Sequence, residues 1–130
     1  MLGVRKNMEK INSFKDLIVW QRSIELVKES YKIVNQLPQK ETYALSDQMR
    51  RAVISIPSNI AEGRNRQTRK EFAQFLRIAS GSLAELETQL IITKDLYNID
   101  VKKAEVLLTE TGKMLSSMIN KITNPIKASS

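Results

Sequence analysis

From residue 13 to residue 123 the apolar side chains return every three or four positions, and almost nothing interrupts them. The whole chain holds four glycines and three prolines. Such spacing is the signature of amphipathic helices, since residues three and four apart share one helical face. Nowhere does the two-residue alternation of a half-buried strand persist between turn residues. The fold class this predicts is all-α.

Four helical segments follow from the breaks. The first is expected to open at Ser13, where Ser13 and Asp16 resemble a capping box, and to run until Pro38 stops it. It carries two stripes. One is Leu17, Trp20, Ile24, Val27, Tyr31 and Val34, and the second is Val19, Leu26, Ile33 and Leu37. The second helix is expected from about residue 42 to Glu62, with Leu45, Met49, Ala52, Ile56 and Ile60 inward and Ser46 as a competing cap. Pro57 lies inside it, so a kink is expected near Val53–Pro57, with Ser55, Ser58 and Asn59 serving the freed backbone groups. Gly63 suits a helix end.

After the loop Arg64–Gln67, Thr68 and Glu71 form a full capping box for a long third helix reaching about Asn98. Its stripe is Phe72, Phe75, Ala79, Leu83, Leu86, Leu90, Thr93 and Tyr97, with Leu76, Ile78, Ile91 and Ile92 beyond it. Gly81 interrupts this helix; a close helix approach would explain it, and a locally loosened helix would too. The fourth helix takes Asp100 as its cap and Ala104, Leu108, Thr111, Leu115, Met118 and Ile122 as its stripe, with Leu107, Met114 and Ile119 extra, and Asn124–Pro125 ends it. Short connections predict an antiparallel up-down-up-down four-helix bundle over residues 13–123. A flexible N-terminal segment, 1–12, and a polar tail, 124–130, flank it.

More apolar surface is present than one bundle consumes, because a bundle helix needs about three positions in seven. Part of the surplus flanks the core; the rest predicts a homo-oligomer.

The 130-residue chain has no histidine and no cysteine. That removes the usual general base, thiolate chemistry and the commonest metal ligands. No enzyme, cofactor or metal site is expected. Glu85 and Glu87, two apart, do not share a helix face and read as solvated. Ser55, Ser58 and Ser80 lack a histidine partner, and no glycine-rich phosphate loop occurs. Residues 1–12 do not read as a signal peptide, and no stretch suits a bilayer span, so a cytoplasmic location without membrane contact is expected.

The formal net charge is +7, from 21 basic and 14 acidic residues. It concentrates between residues 50 and 70, where Arg50, Arg51, Arg64, Arg66, Arg69 and Lys70 face only Glu62. Arginine forks match phosphate, and the start of the third helix adds a positive dipole end. These six are the candidate nucleic-acid-binding residues. Arg50 and Arg51 could equally pair with acidic groups within the bundle or between subunits. No aromatic residue lies among them, so contacts to the RNA or DNA backbone are expected in place of base stacking. A module that docks a partner protein through the surplus apolar faces is the other reading.

Five blocks carry a family resemblance: Phe14-Lys15-Asp16-Leu17 with Val19-Trp20; Asp47 to Ala52; Ser55-Ile56-Pro57-Ser58-Asn59-Ile60-Ala61-Glu62-Gly63; Glu71-Phe72 through Phe75-Leu76; and Gly81-Ser82-Leu83-Ala84-Glu85-Leu86-Glu87-Thr88-Gln89-Leu90. Together they resemble the bacterial four-helix-bundle proteins encoded in intervening sequences of 23S rRNA genes, from about Phe14 to Ile122. That family is similar to the accessory protein of diversity-generating retroelements, a cationic pentameric barrel that binds nucleic acid beside a reverse transcriptase. The resemblance implies a homopentamer with RNA or DNA binding. It implies no catalysis and carries over no catalytic residue.

Overall fold

A computed structural model describes residues 13–124. The expected N-terminal segment and all of the C-terminal tail but Asn124 lie outside the described residues. The elements are α1 (Ile18–Val34), α2 (Leu45–Arg64), α3 (Arg69–Tyr97) and α4 (Lys102–Thr123). Short 3₁₀ turns, Phe14–Asp16 and Gln39–Glu41, precede α1 and α2. No strand occurs among the described residues. The helices pack in a closed ring, α1 on α2, α2 on α3, α3 on α4 and α4 back on α1, which is the packing of a four-helix bundle.

The helix ends differ from expectation for local reasons. Ser13 accepts a hydrogen bond from the Lys15 amide at 3.2 Å, a turn two residues long, where a capping box was expected. Leu17 is then extended, with φ −74° and ψ 125°, so α1 starts only at Ile18. Phe14 meets Trp20 edge to face, centroids 5.3 Å apart, and holds this entry. At the other end Pro38 disfavours a helical Leu37. The chain tightens early: the Gln36 amide bonds to the Ile33 carbonyl at 2.9 Å and that of Leu37 to Val34 at 3.0 Å. Hence α1 has 17 residues and stops at Val34, short of Pro38.

The α1 core face is the second of its two stripes. Val19, Ser23, Leu26, Ser30 and Ile33 are buried, joined by Val34 from the end of the first stripe, while Leu17, Trp20, Val27 and Tyr31 only lean on the core from the side. Two serines, Ser23 and Ser30, occupy seam positions where large apolar residues are usual. The Ser23 hydroxyl donates to the Trp20 carbonyl at 2.6 Å.

In α2 the expected stripe is buried, joined by Val53, Pro57 and Gly63. Ser46 is buried in the first turn and does not cap; the helix runs unbroken through Pro57. The Ser58 hydroxyl donates to the Ile54 carbonyl at 2.8 Å, and the Asn59 amide donates to the Ser55 carbonyl at 2.8 Å. Ser55 also shares a 2.8 Å hydrogen bond with Ser82 of α3.

Gly63 lies within the helix, with negative φ. A Cβ there would stand 2.7 Å from Phe75 Cβ and 3.0 Å from a ring carbon of Phe72. The glycine therefore permits the close approach of α2 and α3. Gly81 has the opposite surroundings: a Cβ there would have nothing within 4 Å, so no close approach among the described residues explains it.

Thr68 caps α3 as expected, accepting from the Glu71 amide at 3.1 Å. Asn98, left-handed at φ 52°, ends it. At its start the buried residues are Ala73 and Leu76, with Phe72 and Phe75 half-buried, so Leu76 belongs to the core. Asp100 accepts from the Lys102 amide at 3.0 Å and serves the first turn of α4 from one residue ahead of its cap position.

Candidate nucleic-acid interface

The six candidate residues do not form one patch. Arg50 and Arg51 lie in the second turn of α2 and Arg64 closes its last turn. At 1.5 Å per residue the two groups stand about 20 Å apart along the axis. Arg50 is half-buried; its guanidinium donates to the Thr42 carbonyl at 3.3 Å and lies 3.9 Å from Asp47. Arg51 is exposed and pairs with Asp47 at 3.0 Å. The internal pairing weighed for these two residues is what the structure contains, and Asp47 serves both.

The remaining four gather where α2 passes into α3. Arg66 is committed locally: it bonds Glu62 at 2.6 Å and covers the Phe75 ring, 4.8 Å from its centroid. Arg64 is half-buried at the end of α2. Arg69 and Lys70 are exposed in the first turn of α3, and among the described residues neither has an ion-pair partner. Arg77, also exposed, sits seven residues after Lys70, about 10 Å further along the same face. The sequence reading missed it because it lies outside the dense basic run; the seven-residue spacing from Lys70 was the available signal. The dipole end of α3 is less open than expected. The Thr68 hydroxyl donates to the Glu71 carboxylate at 3.0 Å, which places an anion at that terminus already.

Charge elsewhere is largely balanced. Residues 13–124 hold 17 of the 21 basic and 13 of the 14 acidic side chains, so the bundle itself carries +4 of the chain's +7. A groove of about 880 Å³ between α1 and α4 contains Lys28, Lys32, Lys102 and Lys103, but carboxylates share it. Within it Glu29 bridges Lys32 at 3.1 Å and Lys103 at 3.6 Å. The Lys32 hydrogen bond, helped by the Lys103 charge, holds the Glu29 carboxyl below its ordinary 4.5 although partial burial opposes this. Arg22 reaches both Glu25, at 3.2 Å, and Glu110, at 3.3 Å.

At the opposite end of α2, the Tyr97 hydroxyl donates to the Glu41 carboxylate, and that bond, with some desolvation, raises the Tyr97 pKa above its ordinary 10.0. Among the described residues no group of three or more His, Cys, Asp or Glu is placed to hold a metal ion. No helix among them is long and apolar enough to cross a membrane.

Fold and charge together define a basic four-helix-bundle protein with three exposed cations, Arg69, Lys70 and Arg77, along the first turns of α3. The chain belongs to the 23S rRNA-intervening sequence protein family, whose profile matches residues 15–121. No curated protein matches it.

Proposed function

We propose that this protein is a non-enzymatic accessory protein that binds the RNA or DNA backbone as a cytoplasmic homo-oligomer. The observation that carries the reading is the exposed trio Arg69, Lys70 and Arg77 on one stretch of α3, without carboxylate partners among the described residues. Exposed cations that no protein anion neutralises are available to release phosphate counterions. The family's description, which refers to 23S rRNA, agrees with a nucleic-acid setting. Contacts across the bundle support an antiparallel arrangement: Arg22 with Glu110, Glu29 with Lys103, and Ser55 with Ser82. A homo-oligomer, a pentamer by family likeness, would account for the exposed Ile78, Ile91, Ile92 and Leu96 along α3.

The test is an electrophoretic mobility shift with structured RNA and duplex DNA across a salt series. Binding at low salt that fades as salt rises, and that weakens for all sequences when Arg69, Lys70 and Arg77 become alanine, is the expected result. No shift at low salt with either nucleic acid would overturn the proposal.

The exposed α3 side chains also favour a second reading, a module that docks a partner protein. A protein retained in pull-downs after nuclease treatment would favour it over the first.

A further inference from the structure

In a chain of net charge +7, carboxylates should find cations easily. Every acid of α1 and α2 does: Glu25, Glu29, Asp47 and Glu62 all stand in ion pairs. The other half of the bundle differs. Glu85, Glu87 and Asp95 of α3 and Glu105 of α4 have no ion-pair partner among the described residues.

Two of these four, Glu87 and Glu105, line one small cavity at the seam between α3 and α4. Its volume is about 120 Å³. Leu90 and Leu108, both buried, supply an apolar floor, and Ile91 and Thr109 complete the lining. Ile91 is 50% exposed and carries the apolar surface out onto the face of α3. Lys94 and Lys102 lie further along the seam with Glu105, yet neither reaches it as an ion pair.

The cavity rejects most occupants. Pockets for small molecules run to about 300–1,000 Å³, several times this volume. A calcium-like cation takes about six to eight oxygen ligands, and two carboxylates with one hydroxyl over leucines fall short. Both carboxylates repel a phosphate, so the seam does not continue the cationic turn. What fits is a long cationic side chain, apolar along its stem and charged at its tip. Two carboxylates on different helices suit the planar fork of arginine better than the point charge of lysine.

We propose that the α3–α4 seam docks a basic segment of a partner protein, one arginine of which enters the cavity and donates to Glu87 and Glu105 while apolar neighbours cover Ile91. This names the surface and the partner chemistry of the docking reading above, on which it rests. An arginine desolvated between two carboxylates is the kind of contact that dominates an interface.

Fluorescence anisotropy tests this with a labelled peptide of leucine and arginine, about 18 residues or five helical turns long. A salt concentration of about 0.15 M screens charges more than about 8 Å away. The full-length protein is compared with E87Q, E105Q and D16N, and circular dichroism checks each fold. Asp16 is exposed and has no ion-pair partner among the described residues, so D16N makes the same charge change away from the seam. The expected result is a loss of about tenfold or more for E87Q and for E105Q, none for D16N, and weaker binding when lysine replaces arginine in the peptide. Equal losses in all three variants, no binding by the wild type, or equal affinity for the two peptides would overturn the inference. Light scattering of the E87Q/E105Q protein completes the test: a mass below that of the wild type would give the seam to a second copy and overturn the partner assignment. None of these failures removes the docking reading, which falls when nuclease-treated pull-downs retain no protein.

Discussion

Gly63 and Gly81 are the same residue in two helices and answer to different physics. At Gly63 the obstacle is the Phe75 Cβ, fixed to the backbone and unable to rotate aside, so an added methyl must push α2 from α3. Replacement by alanine is expected to cost about 1–3 kcal/mol by overpacking. At Gly81 the space is open, and alanine should add about 1 kcal/mol by helix propensity alone. Urea unfolding of the two variants measures both signs. Glu29 supplies a pH test of the same grain. Its carboxyl is held below 4.5 in the folded chain, so its contribution is complete above that value and drains away as pH falls through the lowered pKa. Glu29→Gln should therefore lower stability at neutral pH and flatten the loss of stability below about pH 4.5, read by thermal melts over a pH series.

At the scale of elements, α1 is where position and prediction part. The spacing made two stripes visible, one of them richer in large side chains, with Trp20 and Tyr31, and did not tell which faces the core. The core took the poorer one, because Ser23 and Ser30 complete it and periodicity of apolar residues cannot count a buried serine. Leu26→Ala is therefore expected to cost about 2–5 kcal/mol, while Val27→Ala, on the flanking stripe, should cost roughly 1 kcal/mol or less. Equal costs would contradict the assigned face. Elsewhere the elements were legible: the α2 stripe, the Thr68–Glu71 cap and the Asp100 start rest on local chemistry that a sequence displays. The site was less so. Six basic residues close in sequence suggested one patch, yet a continuous α2 spreads them over about 20 Å and its carboxylates pair with Arg50, Arg51 and Arg66.

For the whole molecule, the exposed isoleucines of α3 and the cations of the α2–α3 turn bear on assembly and binding. Light scattering is expected to give a mass near five times the 14.9 kDa of one chain; a mass of one chain would remove the oligomer and leave the α3 face to another partner. The central claim is that uncompensated cations on α3 hold a nucleic-acid backbone. Its most direct test is the slope of log K against log salt concentration for duplex binding, wild type against the variant with alanine at 69, 70 and 77. A negative wild-type slope that becomes shallower by about one for each lost phosphate contact is expected. Equal slopes for the two proteins, or no measurable binding at low salt, would contradict the account.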